Sequence, residues 1–464
     1  MRKHRPARRR TRRRPVPRAP EGTEHVEILD VTGVVAGGDG IARRGDGRVV
    51  FVPRSSPGER VEISYIESHA QWLRGRIVRI VTPGPDRREP PCPYYARCGG
   101  CQLQHLHYDA QLRAKAAIVA DSLKQLGHLG VGELEASPSP REFGYRNRVS
   151  FVLRRTHADV VAGYHAVDSP DEIVDVERCL LAESSIQEVW TALRAAWGPG
   201  ASRLPIGNDL RLTLRAASDG RVGLAIEGGR GSGETTRALL ETAGLAAIWS
   251  LDEKARVTWH AGEETLSEHW GRHHIPLSGT AFLQVNREAA EHLEKYVREQ
   301  CGGVAGRRVV DAYCGFGLRA LGLAEDGATV VGIDTDRHAI AAAQGAARVL
   351  DVGTSRIPGD QDLPASGKAR FLVAPVERVL AGELPADVVI LNPPRRGIAR
   401  AVVHALLRTP PERIVYVSCN PATLARDLGS FGSHFALASC RAFDLFPQTA
   451  HVETVATLTR RNPV

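Results

Sequence analysis

Val309-Val310-Asp311-Ala312-Tyr313-Cys314-Gly315-Phe316-Gly317 reads as a buried strand that ends in an acidic residue and a glycine turn. A short apolar run bounded by turn residues is the pattern of a strand covered on both faces, as in a parallel sheet. After a short helix-like stretch, residues 328–333 give the next strand, closing on Asp334, and an Ala-rich helix follows over 337–349. This alternation starts a doubly wound α/β unit, in which ligands sit at the carboxyl ends of strands. The glycines let the backbone approach a ligand, and an acid ending the second strand suits ribose hydroxyls. By itself the turn fits S-adenosylmethionine, NAD or a purely structural role.

Two further stretches narrow the choice. Residues 387–398 (DVVILNPPRRGI) form a strand ending in Asn-Pro-Pro-Arg, whose prolines stop the strand and hold a rigid loop. Residues 413–417 form another apolar strand, which passes through Ser418-Cys419-Asn420 into a helix that Pro421 can start. Cys419 thus falls at a strand's carboxyl end and close to a helix N-terminus. There the helix dipole and free N–H groups favour thiolate, the nucleophilic form. A lone cysteine is more often a small core residue; its neighbours shift the reading.

Together these stretches resemble the RNA 5-methyluridine (uracil-C5) methyltransferases, from roughly residue 24 to the C-terminus. The run 418–427 (SCNPATLARD) carries the resemblance most specifically. It implies a C-terminal Rossmann-like methyltransferase domain using S-adenosyl-L-methionine, with Cys419 as nucleophile. It also implies Glu453, closing the run 444–453 (DLFPQTAHVE), as general base, and cofactor contacts at Gln284, Tyr313, Asp334 and Asn392. Judged without the resemblance, Glu453 is a surface acid opening a last strand. Three positions depart from the family pattern: Leu318 stands for an asparagine, Pro375 for a polar contact and Asn392 for an aspartate. Asn-Pro-Pro is also found in exocyclic-amine methyltransferases, but Arg395 follows here, not an aromatic. Uracil chemistry explains the thiol and the acid. Carbon 5 is a poor nucleophile until a thiolate adds at carbon 6, and a base must later remove the carbon-5 proton. The target base must also leave its stack.

Cysteine spacing gives the second constellation. Cys92, Cys98 and Cys101 form C-x5-C-x2-C around glycines, which argues for a metal centre over disulfides. The resemblance adds Cys179 and assigns the four thiolates to a 4Fe–4S cluster. A zinc site is the alternative; its usual signature is two close C-x2-C pairs, which this spacing lacks. Cys301 and Cys440 read as ordinary thiols, and Cys314 as packing.

The 464 residues suit a multidomain α/β chain. Residues 1–22 read as a disordered basic tail: the first eighteen hold ten Lys or Arg and no acid, and taking their ten charges from the net +8 leaves −2. Residues 23–84, rich in alternating β-runs and Gly-Asp-Gly turns, resemble the TRAM domain, an OB-like RNA-binding barrel. Arg43, Arg48, Arg54, Arg74 and Arg76 are its candidate phosphate contacts. Residues 85–280 read as a central α+β domain holding the cluster cysteines, with a helix over 108–126. Within it Tyr145, beside Arg146 and Arg148, fits either a base-stacking aromatic or a core residue. Residues 281–464 form the methyltransferase domain. No apolar run is long enough for a membrane span and no signal-peptide pattern opens the chain, so a cytoplasmic monomer acting on RNA is expected. Barrel and cluster together favour 23S ribosomal RNA over tRNA as substrate. A folding chaperone or RNA-binding protein with a weakened methyltransferase site is the competing reading.

Overall fold

The computed structural model describes residues 26–461, apart from 157–158, 232–233, 255, 272, 280, 350–367 and 433. The basic tail expected over 1–22 lies outside the described residues. The chain divides into two compact units: residues 1–89 with 105–107, and residues 90–104 with 108–464.

The first unit is a closed five-stranded barrel. Its strands Val26–Val34, Asp39–Arg43, Val49–Pro53, Arg60–Ser68 and Trp72–Thr82 close in the order first, second, third, fifth, fourth. Alternate side chains point inward, as the period of two requires, so Leu29, Val31, Ala42, Val50, Val52, Val61, Ile63 and Leu73 fill the interior. Arg48 and Arg74 already face Asp46 and Asp39 in ion pairs at 2.7 and 2.8 Å, which lowers their value as phosphate contacts.

The second unit holds two large sheets. A seven-stranded sheet runs in the order Val257–Gly262, Ala247–Leu251, Val222–Glu227, Asp209–Ala216, Arg148–Arg155, Val160–His165, Ile173–Asp175. The strand Arg148–Arg155 begins three residues after Tyr145. Tyr145 itself is wholly buried and its hydroxyl donates to the Pro447 carbonyl at 3.0 Å. It is a core residue and is not available for base stacking.

The eight-stranded sheet is ordered Lys368–Val373, Thr329–Asp334, Arg308–Ala312, Val388–Leu391, Arg413–Ser418, Glu453–Arg460, Phe435–Phe443, Ala136–Ser137. The first five strands are mutually parallel. Their near-continuous Val, Ile and Leu runs follow from cover on both faces, with two apolar cores of fully buried side chains packed around the sheet. The order reverses between Arg308–Ala312 and Val388–Leu391, which makes this the switch point where a ligand crevice forms. Glu453–Arg460 then enters antiparallel to Arg413–Ser418, pairing Ser418 with Thr454. That reversal brings the start of the last strand beside the carboxyl end of the strand leading to Cys419. The helix Tyr108–Leu126 packs on the helix Pro421–Gly429. Among the described residues no helix is long and apolar enough to cross a membrane.

Candidate active site

A cleft of about 750 Å³ opens over the switch point. Gln284, Tyr313, Asp334, Asn392, Cys419 and Glu453 all line it, as do the divergent Leu318 and Pro375. The sequence scatters these residues over more than 160 positions; the parallel topology gathers them at one edge.

Around Tyr313 and Asp334, the expected cofactor contacts, the backbone makes the shape. Tyr313, Gly315 and Gly317 have φ of +65°, +55° and +69°, so the turn after Arg308–Ala312 winds through the left-handed region that glycine enters freely. A Cβ on Gly317 would lie 2.4 Å from the Phe371 ring, so only glycine fits there. Asp334 is anchored twice: Oδ2 accepts from the Gly315 N–H and Oδ1 from the Asp336 N–H, both at 2.9 Å. Each oxygen keeps a lone pair for a hydroxyl. Below the turn, Arg319 donates to Glu294 at 2.6 and 2.8 Å and faces Asp311 at 3.5 Å. Burial pushes the Asp311 carboxyl up to about 6, and its Oδ2 is buried without a partner. Sequence reading missed Arg319 and Glu294, since only a strand-ending acid was visible. Leu318 and Pro375 open the helices Leu318–Glu325 and Val376–Val379 with no side-chain cap.

The reactive side is bonded through side chains. Asn420 caps the helix Pro421–Gly429, accepting from the Ala422 and Thr423 N–H groups at 3.1 and 3.3 Å. Asn420 Nδ2 and Thr423 Oγ1 donate to the Arg395 carbonyl at 3.3 and 3.2 Å. Arg426 donates to the Arg396 carbonyl at 2.9 Å. Asp427, buried, accepts from the Ile398 N–H at 2.9 Å and the Tyr416 hydroxyl at 2.7 Å. The polar residues of SCNPATLARD therefore clamp the loop after Asn392, and the loop carries Arg395 to the thiol.

This arrangement corrects the expected thiolate. Cys419 is raised above the ordinary thiol range, first by burial and then by Glu453, while a hydrogen bond and the charge of Arg395 draw it down. The helix N–H groups that were to stabilise it are taken by the Asn420 cap. Glu453 is 5% exposed, and burial lifts its carboxyl to about 8 against the pull of Arg395. Arg395 is thus the cation shared by the thiol and the acid, a role its sequence position alone did not disclose.

The four cysteines Cys92, Cys98, Cys101 and Cys179 line a separate cavity of about 110 Å³, with Gln104, Arg146 and Tyr164. The Gly100 N–H points at Cys98 Sγ at 3.4 Å, and the Tyr164 hydroxyl lies 4.0 Å from Cys179 Sγ. Burial raises Cys92 and pushes Cys101 up to about 12, with Cys179 adding to both. Among the described residues no group of three or more His, Cys, Asp or Glu side chains converges as ligands on one metal ion.

A strand-order reversal, a glycine turn and a strand-ending acid at one edge define a doubly wound α/β protein with its ligand crevice there. The family model for tRNA (uracil-5-)-methyltransferase matches residues 263–461, and that for the TRAM domain residues 23–78. An RNA methyltransferase of Gloeobacter violaceus is 35% identical, over 93% of this chain and 96% of its own. One from Thermosynechococcus vestitus is 34% identical, over 91% and 95%. The crystal structure of Pyrococcus abyssi tRNA (uracil-54, C5)-methyltransferase with S-adenosyl-L-homocysteine superposes with a TM-score of 0.69, at 26% identity, over 93% of this chain and all of that one. The chain belongs to the tRNA (uracil-5-)-methyltransferase family and is an S-adenosylmethionine-dependent RNA methyltransferase with an N-terminal TRAM barrel.

Proposed function

We propose that the chain makes 5-methyluridine in RNA through a covalent Cys419–uracil adduct. The observation that carries this is the convergence of a thiol, a buried carboxyl and one bridging arginine on the same cleft as the cofactor-side turn. Bound S-adenosylmethionine supplies an electrophilic methyl group. Gln284, Tyr313, Asp334 and Asn392, which line the cleft, would hold it. Cys419, as thiolate beside Arg395, adds to carbon 6 of a flipped uracil; the ring electrons move to carbon 5, which takes the methyl as the sulfonium's S–CH3 bond breaks and S-adenosylhomocysteine is left. Glu453, deprotonated, then removes the carbon-5 proton. The carbon 5–carbon 6 double bond re-forms and the thiolate leaves.

A protonated Glu453 at neutral pH puts no charge beside the thiolate during addition. It must lose its proton before it can act as base, so proton removal speeds up as pH rises through about 8.

Ribosomal RNA is the proposed substrate, on the combination of TRAM barrel and four-cysteine cavity. The likeness to the Pyrococcus abyssi enzyme supports tRNA as the second reading. Mapping 5-methyluridine in both RNA classes from a strain lacking the gene decides between them: a site lost from rRNA supports the first, and one lost only from tRNA overturns it.

The donor set of the second cavity fits a metal group. Four thiols ring one space, and an N–H is directed at a sulfur. Four thiolates are the expected ligand set of a 4Fe–4S cluster, and the spacing of Cys92, Cys98 and Cys101 lacks the two close C-x2-C pairs usual for zinc. Cys92, Cys98, Cys101 and Cys179 would hold it, and its contribution here would be to cross-link the loop to the strand edge. Anaerobically purified protein with about four irons per chain supports the cluster; colourless protein with one zinc overturns it.

A further inference from the structure

The loop that delivers Glu453, residues 444–452, is fastened by buried side chains from far along the chain. Gln448 sits at φ +70° and is wholly buried. Its N–H donates to Gln111 Oε1 and its Oε1 accepts from Gln111 Nε2, both at 2.9 Å. Its carbonyl accepts from the Gln102 and Leu103 N–H groups at 3.1 and 3.0 Å. Gln102 lies next to Cys101, and its side chain bridges the two loops: Nε2 donates to the Gly99 carbonyl at 2.9 Å, and Oε1 accepts from the Ala450 N–H at 3.3 Å. Lys115 holds the front of the same loop, donating to Asp444 Oδ1 at 2.5 Å and the Phe446 carbonyl at 3.1 Å.

Filling this space with apolar side chains would bury the loop as well, with fewer directional constraints. Here the Gln111 amide takes the Gln448 N–H and two backbone N–H groups take its carbonyl, so both peptide units flanking a left-handed residue are held five residues before Glu453. A non-glycine residue in that region persists only where its surroundings dictate it, and such positions cluster where geometry serves function. The segment that supplies half of this grip is the cysteine-rich loop, which touches neither cofactor-side turn nor thiol among the bonds described above.

We propose that Gln448 is a positioning residue for Glu453, and that the cysteine-rich loop, through Gln102, sets where that carboxylate stands. The proposal rests on the reading of Glu453 as the base. Its consequence is a selective defect: loosening the bridge slows proton removal while thiol addition and methyl transfer continue.

Two RNAs separate these steps. On 5-fluorouridine RNA the adduct cannot lose its carbon-5 substituent as a proton, so its rate of formation reports everything up to methyl transfer. On ordinary RNA from a strain lacking the gene, methyl label trapped in a denaturation-resistant protein–RNA band reports failure of proton removal. The full-length chain is used throughout. Gln448→Gly keeps the backbone conformation and removes the amide. It is expected to form the fluorinated adduct at the unmodified rate, trap label on ordinary RNA and lose about 10²-fold in turnover, the scale of a misplaced catalytic group. Gln102→Ala keeps both backbone bonds to Gln448 and should trap label with a smaller loss, about 2–10-fold. It decides the matter if Gln448→Gly does not fold. Gln448→Asn, which tolerates a left-handed backbone, should recover part of the turnover. Equal falls in adduct formation and turnover, or normal turnover with no trapped band, overturn the proposal. Glu453→Gln is the control. If it traps label and the glutamine variants do not, positioning fails alone; if it traps none, the base assignment fails and takes the positioning with it.

Discussion

The two halves of the cleft are built by different means. The half proposed to take the cofactor is shaped by backbone, with a turn wound through three positive φ angles and one carboxylate pinned by two N–H groups. The reactive half is locked by side chains, four of them reaching from one short helix and its cap to the loop that carries Arg395. Binding a nucleoside demands shape and a few polar anchors, and it survives the loss of one. Placing a thiol, a base and a guanidinium about a ring demands fixed distances. The three departures from the family pattern, Leu318, Pro375 and Asn392, all line the tolerant half or its border.

The sharpest way to break this contrast is at the thiol. Cys419→Ser should abolish both methyl transfer and the covalent adduct on 5-fluorouridine RNA, with RNA binding retained in a filter or gel-shift assay. Methylation that survives the change would remove the covalent route.

Next in size is the base. Glu453→Gln should slow turnover by about 10²–10⁴-fold while labelled RNA accumulates on the protein. The unmodified enzyme should gain rate as pH rises, first as the buried carboxyl loses its proton near 8 and further as the raised Cys419 thiol ionises; a turnover that falls across pH 7 to 9 would contradict this. Stability runs the other way. Since the folded pKa lies above the unfolded value, the neutral acid costs least at low pH, and the fold loses stability as pH rises through 8. Glu453→Gln should therefore raise the melting temperature more at pH 9 than at pH 6.

The clamp comes third. Asp427→Ala leaves the Ile398 N–H and the Tyr416 hydroxyl without their acceptor. It should cost about 3 kcal/mol in denaturant unfolding and lower turnover more than cofactor affinity. An equal fall in both would erase the distinction between the halves.

The smallest effect belongs to the cofactor side. Leu318→Asn restores a polar atom at the start of its helix and should tighten S-adenosylmethionine binding by about 2–10-fold, the worth of one hydrogen bond, as read by calorimetry. A hundredfold gain would mean that this half is as exacting as the other.

Periodicity alone marks much of the fold. The helix Tyr108–Leu126 and the strand Val222–Glu227 are legible to the residue, because a sustained apolar period and an Asp-Gly turn bound them. The barrel is legible from alternating β-runs and its Gly-Asp-Gly turns. The strand Ala247–Leu251 and its partner Val257–Gly262 are not, since the first is a short apolar run with no alternation and the second exposes Val257 and Trp259. Within the cleft, Asp334 announces itself by ending a strand. Nothing local marks Glu453, and only the resemblance singles it out. The raised thiol was hidden because two uses compete for one set of helix N–H groups, and a sequence does not say that Asn420 takes them. Contacts such as Gln111 with Gln448, 337 residues apart, have no local signature at all.

The antiparallel pairing of Ser418 with Thr454 makes the sheet itself the ruler for the chemistry. The gap between the proposed nucleophile and the proposed base is first measured across inter-strand hydrogen bonds. Of the chain that joins them, only a stretch outside the clamping helix Pro421–Gly429 and the pinned loop 444–452 can change length without moving either group. A single residue inserted into the last strand is another matter. It would leave the sheet intact yet turn every following side chain to the opposite face, or push Glu453 out of line with Cys419.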